Sequence, residues 1–525
     1  MEKLSLWIGL ATIIGLLAFI WHCITYDRDL LPKGLPWGGY RPGAWFVIPR
    51  ASFSELWNSI HFLRDGYEKY GKHGKPWVTP NRNWDHEVML PLEHTKWLIE
   101  LPESVAVAYK ILLFDVAFLY MFPQAKHMDK SFHKDALRKM NWDKITEDVA
   151  DEIDACTKRY LGNKPGKDVS FDLNNTMQAM FSHIATRAFL GADIAKDEAY
   201  LNFTSKKFMG QLLPMSILIR TFVPFYLQIA ILWPLFQLPV RFYEWKAKRS
   251  LRPVIKLRLL AAQIAKDTNN EIKNPTILQN IVRLAVDSPD PRDRRPDAIT
   301  RRMLAYNLYD GIGSHTLASS AINAMADILL AGPEVYGHLR AEAIAASTSG
   351  PWTKASVNRL VLLDSALRES LRCLPLKARA VERIVVAKEG VTLPNGLFVP
   401  YGTPIGLSSD DIHHDEQFYE RPESFIPDRF VNKEGQGMVQ VRETFQAFGL
   451  GRQACPGRYI AAHILKMFFA HIIINYDFDE LKNRPPAVWA SDLYLPKSVT
   501  LTCRRRIGGD GEVGKEPPAG KKKVT

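Results

Sequence analysis

The stretch Phe448-Gly449-Leu450-Gly451-Arg452-Gln453-Ala454-Cys455-Pro456-Gly457-Arg458 constrains this chain more than any other, because it brings one cysteine through a glycine-punctuated loop to the start of an apolar helix. Gly451 and Gly457 remove side chains on either side of Cys455, which allows unusual backbone angles and the close approach of a flat cofactor. Pro456 suits the first turn of a helix that Arg458, Ile460, Ile464, Leu465 and Phe468 continue at helical spacing. Cys455 then stands at the positive end of a helix, where the dipole and amide donors keep sulfur anionic, as a metal ligand must be. Phe448 is placed to cover the sulfur from water. A structural cysteine in a tight turn is the competing reading for any lone cysteine, and the fixed order of glycines around this one counts against it.

The segment resembles the haem-binding signature of the cytochrome P450 monooxygenases, Phe-x-x-Gly-x-Arg-x-Cys-x-Gly, at Phe448, Gly451, Cys455 and Gly457. Gln453 departs from it, standing where the signature has a basic residue that contacts a haem propionate; Arg452 is its neighbour. The resemblance implies a mainly α fold with small β-sheets, and haem b with Cys455 as the axial ligand to iron.

Three further segments follow the order this resemblance requires. Gly311-Ile312-Gly313-Ser314-His315-Thr316 lies inside a helical stretch from about Ile299 to Leu330. Glycine in mid-helix costs ~1 kcal/mol relative to alanine, so two in close succession suggest a local opening of the helix. By resemblance Gly313 makes room for dioxygen and Thr316 relays a proton. His315 replaces the acidic residue of many members, as in a set of fungal ones, and either relays protons or packs. Glu369 and Arg372 share one face of a helix. The Phe425-Ile426-Pro427-Asp428-Arg429-Phe430 loop would bring Arg429 to them, and the resemblance makes this trio a structural cluster. For the propionates the resemblance points to Arg383 or Arg379 after the turn at Pro375, and to Arg138 from an earlier helix; each is also readable as a surface arginine. Pocket walls are expected from Phe114, Phe118, Tyr120 and Phe122, from Tyr309 and Ile312, and from the turn Leu374 to Ala378, although plain core is the commoner role of such aromatics.

The rest of the chain places this unit. Residues Leu4 to Ile24 carry no charged side chain, and about 20 such residues span a bilayer as a helix. We expect an uncleaved transmembrane anchor over 1–26, a Pro/Gly-rich hinge over 27–44, a haem-thiolate catalytic domain over 45–506 and a disordered basic tail over 507–525. A cleaved signal peptide competes with the anchor, but no small-residue cleavage site precedes Asp27. Lys33, Arg41 and Arg50 follow the span while only Lys3 precedes it, so we expect the body in the cytosol; the resemblance to membrane-anchored members implies the endoplasmic reticulum membrane. The terminal Lys521-Lys522-Lys523-Val524-Thr525 resembles a dilysine retrieval signal, or is lysine-rich by chance. A second apolar zone, Leu212 to Pro239, is divided by Arg220, Pro224, Pro234 and Pro239 into lengths too short to span, and reads as core or as a surface dipping into lipid.

Five scattered cysteines exclude a disulfide scaffold. A net charge of +12 without a basic, aromatic-interleaved stripe suits membrane lipid or an acidic protein better than nucleic acid. No nucleotide-binding glycine fingerprint is present, so electrons must come from a separate protein. By resemblance that partner is NADPH-cytochrome P450 reductase, meeting a basic surface that includes Arg452, Arg458 and Lys466. The expected activity is oxidation of a lipophilic small molecule with O2, as in fungal polyketide, terpenoid or hybrid secondary metabolism. A haem-thiolate isomerase or dehydratase needing no external electrons, and a non-catalytic lipophile carrier, are the alternatives.

Overall fold

The computed structural model describes residues 13, 15, 17, 34–39, 47–81, 85–108, 141–204, 211, 214, 215, 218, 219, 225–270, 276–348 and 350–507. Its longer helices are α1 (Val47–Lys69), α2 (Trp142–Tyr160), α3 (Leu173–Leu190), α4 (Phe225–Asp267), α5 (Ile277–Asp287), α6 (Pro296–Leu330), α7 (Pro333–Ser347), α8 (Val361–Cys373) and α9 (Arg458–Asn475). Their starts follow local chemistry. Asn141 accepts from the amides of Asp143 and Lys144 to open α2, Asp172 accepts from Asn175 to open α3, and Pro296 occupies the first turn of α6, where its missing N–H costs nothing.

The strands are β1 (Trp77–Asn81), β2 (Asp85–Met89), β3 (Ala106–Val107), β4 (Asp168–Asp172), β5 (Arg379–Val385), β6 (Val391–Thr392), β7 (Phe398–Val399), β8 (Pro404–Ser408), β9 (Tyr476–Phe478), β10 (Ala487–Ala490), β11 (Leu493–Pro496) and β12 (Thr500–Arg505). One mixed sheet has the order β1-β2-β8-β5-β3, a second β4-β12-β9, and β10-β11 and β6-β7 are separate pairs. Residues 391–399 form the β6–β7 hairpin. Gly396 turns it in the left-handed region at φ +84° and the Leu393 amide bonds the Leu397 carbonyl at 2.8 Å.

Helices α2, α3, α6, α8 and α9 share the largest apolar core, in which Phe181, Phe468 and Phe469 are sealed from solvent. A second core joins α4 and α5 to the first half of α6, and a third lies between α1 and the mixed sheet around Trp77. Gly66 of α1 exists for that tryptophan, since a Cβ there would stand 2.1 Å from the Trp77 indole nitrogen. Helix α9 therefore lies in the best-packed part of the molecule, and it is the helix that begins beside Cys455.

Two sequence expectations change. Pro234 and Pro239 do not divide the apolar zone, because α4 runs as one helix of 43 residues through them and through Pro253, whereas Pro224 lies outside the described residues. An interior proline removes one hydrogen bond from a helix without having to end it. Residues 34–39, within the expected hinge, do not stand clear of the body. Gly38 donates to the Val78 carbonyl and Val78 to that of Pro36, both at 2.9 Å, extending β1's edge. Among the described residues no helix is long and apolar enough to cross a membrane; nearly all of 1–26 lies outside them.

Candidate functional site

The cysteine loop is closed by its own backbone. The Cys455 amide donates to the Phe448 carbonyl at 2.8 Å, Gly449 to Gln446 at 2.8 Å and Ala454 to Gly451 at 3.2 Å. Such a closure needs Gly449 and Gly451 in the left-handed region, at φ +67° and +68°. At Gly451 a Cβ would also meet Ile99 at 2.9 Å, so the glycine is required for packing as well. A short 3-10 turn, Gly451–Gln453, leads to Cys455, and α9 begins at Arg458 with Gly457 as its cap, so Pro456 precedes the helix instead of opening it. A Cβ on Gly457 would lie 3.9 Å from the Cys455 sulfur, and Phe448 packs against the main core.

Burial separates this cysteine from the other described ones. Cys455 is exposed, whereas Cys156 and Cys503 are buried and Cys373 is half-buried. Burial holds the Cys503 thiol up at about 12 and, first among its causes, also raises Cys373 to about 12. At neutral pH these two side chains rest as thiols.

Around the loop, Arg458 donates to the Cys455 carbonyl at 2.8 Å and stacks over Tyr459. Gln453, which broke the signature, has a definite task. Its carboxamide oxygen accepts the Ala108 amide at 2.8 Å, tying the loop to the chain just beyond β3. A cation at this position has no lone pair to offer that N–H.

Behind the loop lies a sealed ion cluster. Glu369 takes two bonds from Arg372, at 2.8 and 2.9 Å, one from the Arg429 Nε at 2.8 Å and one from the Ile426 amide at 3.1 Å. Arg372 continues to the carbonyls of His413 and Pro422, each at 2.7 Å, and Arg429 to that of Glu420 at 2.7 Å. Burial opposes the Arg372 charge, yet its bonds to Glu369 prevail and its pKa is raised. Arg368, which sequence reasoning missed, sits beside this cluster without an ion pair among the described residues. Its guanidinium lies 3.7 Å from the centre of the Phe445 ring and donates to the carbonyls of Gly437 and Gln440. The signal was a charge inside the apolar stripe of α8.

The two β5 arginines part company. Arg379 is enclosed by Glu55 at 2.9 Å, Glu87 at 3.1 Å and Asp492 at 3.8 Å, so it has no charge left for a propionate, and that expectation is corrected. Its carboxylate partners come from α1, β2 and the β10–β11 turn, which no local pattern could reveal. Arg383 is 3% exposed and donates to the Glu382 carbonyl, but no carboxylate pairs with it among the described residues. Burial lowers its pKa to about 10, with Glu382 and Glu103 offsetting part of the cost. Between the two, the strand register shifts and Val381 takes φ +55°, a strained conformation for a β-branched residue.

Ser314, His315 and Thr316 are half-buried on α6, whose helical span includes Gly311 and Gly313. The Leu374 to Ala378 turn is clamped by the β10–β11 hairpin, through Tyr494 to Leu376 at 3.1 Å and Ala378 to Asp492 at 2.8 Å. Lys466 is not available to a partner protein, because it is buried on the inner face of α9 and paired with Asp364 at 2.9 Å. Arg138 and the aromatics from Phe114 to Phe122 lie outside the described residues, and so do the side chains of Tyr309 and Ile312.

The residues present fit a haem. An exposed cysteine stands on a rigid glycine loop at a helix start, and a buried guanidinium lacks its anion. Comparison with known proteins agrees. The family model described as Cytochrome P450 matches residues 116–502. The cytochrome P450 monooxygenase polB of Polytolypa hystricis is 28% identical, over 91% of this chain and 94% of its own. Cytochrome P450 monooxygenase nodZ of Hypoxylon pulicicidum is 28% identical over 89% and 91%, and fsoD of Humicola fuscoatra 26% over 96% and 98%.

Proposed function

This chain belongs to the cytochrome P450 family and is a monooxygenase of it, and from that premise we propose that it oxidises a lipophilic small molecule in fungal secondary metabolism with electrons from NADPH-cytochrome P450 reductase. The observation that carries the reading is Cys455, an exposed cysteine whose amide is fixed to Phe448 while the other described cysteines are withdrawn into the protein. The family's cofactor is haem b with a cysteine thiolate as axial ligand, and when bound it supplies the activation of dioxygen that lets one oxygen atom enter substrate.

The protein's own residues do the rest. Cys455 is the ligand, and the loop amides and Arg458 hold its backbone still. Arg383 is the better propionate partner, since an anion would relieve a guanidinium that burial now penalises. On α6, Thr316 hands on a proton, Gly313 gives room beside it, and His315 stands next to Thr316 as a second proton carrier. The sealed cluster of Glu369, Arg372 and Arg429 keeps the helix and the loop in register without touching substrate.

Exposed Arg452 and half-buried Arg458 offer cations to an acidic reductase face. The apolar run Leu4 to Ile24, with Lys33, Arg41 and Arg50 after it, supports a single-pass endoplasmic reticulum anchor with the catalytic domain in the cytosol. The test is reconstitution of the full chain with the reductase and an extract of lipophilic metabolites. Product should require NADPH, reductase and O2 together, and Thr316→Ala should slow it about a hundredfold or more, the lower end for a lost proton-transfer group. Turnover without NADPH would overturn the reading in favour of an isomerase.

A further inference from the structure

Helices α2 and α3 bring together three side chains that the proposed reaction does not use. Glu152 and Cys156 are one turn apart on α2 and so share a face, and His183 reaches them from α3. Their ligand atoms all lie within 4.8 Å of one another. The Cys156 sulfur is 3.7 Å from the Glu152 Oε1, and the His183 Nδ1 is 3.8 Å from that same oxygen. Bond lengths of 2.0 to 2.3 Å place ligand atoms of a tetrahedral zinc roughly 3.3 to 3.7 Å apart, so two of the three separations need almost no adjustment.

We propose that Glu152, Cys156 and His183 form a zinc site that staples α2 to α3. The mixture of one sulfur, one imidazole nitrogen and one carboxylate oxygen suits zinc and is foreign to calcium or magnesium, which take oxygen. Arg187, one turn beyond His183, is the obvious objection. Its charge is already met by Asp148, at 2.8 Å from Nη2 and 3.3 Å from Nε. Its Nη1 lies 3.7 Å from the Glu152 Oε2, so it steers that oxygen away and leaves Oε1 facing sulfur and imidazole. Glu152 and His183 keep 15% and 12% of their side-chain surface, enough to admit water as a fourth ligand.

Zinc enters as a dication, the Cys156 S–H bond breaks, its proton leaves to solvent, and the thiolate and carboxylate neutralise the metal. Burial, with Glu152 adding to it, pushes the Cys156 thiol up, so without metal the site rests as a thiol. The adjacent Thr157 bonds His471 of α9 at 3.1 Å, so a staple here would stiffen the scaffold behind the Cys455 helix.

The experiment uses the full-length, haem-loaded protein dialysed against micromolar zinc chloride, with zinc counted against haem iron by mass spectrometry. The expected result is one zinc per iron that Cys156→Ser and His183→Asn each lose, with one sulfur at about 2.3 Å in the zinc X-ray absorption of the unaltered protein. Zinc should also raise the melting temperature of the unaltered protein and leave that of both variants unchanged. Should buried Cys156→Ser fail to fold, half-buried His183→Asn and the absorption spectrum decide alone. No zinc uptake, uptake unchanged in His183→Asn, or a zinc shell without sulfur overturns the site.

Discussion

Glu369 and Cys455 are both built to be anions near arginines, yet one is sealed and the other is open. The Glu369 carboxylate has no exposure and takes four hydrogen bonds from nitrogen donors, while Cys455 is exposed and fixed chiefly through its backbone. A sealed, fully partnered charge can only hold structure. An open one on a rigid loop can bind and react. The same contrast recurs on β5, where Arg379 is spent on carboxylates and Arg383 keeps its charge for an anion.

Four substitutions would break or sharpen this contrast. The largest effect belongs to Glu369→Gln, which leaves Arg372 and Arg429 buried without a counter-charge, at a cost of about 3–5 kcal/mol. Folded, haem-loaded yield should collapse; a melting curve like that of the unaltered chain would mean the cluster is not the scaffold described above.

The next is the pair on β5. Arg383→Met should leave the melting of the haem-free chain nearly unchanged, because it removes an uncompensated charge, but speed haem loss to apomyoglobin by roughly tenfold for ~1.4 kcal/mol of lost interaction. Arg379→Met should do the reverse, since Glu55, Glu87 and Asp492 lose their counter-charge. Equal haem loss from both variants would erase the distinction.

The smallest effect at neutral pH concerns His463 on α9, which shares a hydrogen bond with Thr146 at 2.9 Å. Burial, with Lys466 and Lys354 behind it, lowers its pKa from 6.5 to about 4. The folded state therefore resists a proton that the unfolded chain accepts. This share of stability is present above pH 6.5 and is lost as pH falls through about 4. Replacing His463 with Gln should flatten urea stability over that window; an unchanged acid slope would show that other groups carry it.

Much of the site was legible because its constraints are local. Glycines two and four residues from the cysteine, and an acid and base three apart on one helix, are patterns that short-range geometry writes into sequence. Arg379 and Arg383 could not be told apart, since what separates them is the arrival of Glu55, Glu87 and Asp492 from distant elements. Lys466 was misread for the same reason, its partner Asp364 lying on another helix. Gln453 looked like a lost cation until the Ala108 amide gave its oxygen a purpose. The long α4 defeated a rule that treats every proline as a stop, whereas an interior proline removes one bond and need not end the helix.

The most direct test of the central claim is the spectrum of the reduced, carbon monoxide-treated protein. The unaltered chain should show the red-shifted Soret band of a thiolate-ligated haem, and Cys455→Ala should lose it while Cys373→Ala keeps it. A Cys455→Ala protein that retains the red-shifted band would contradict the account.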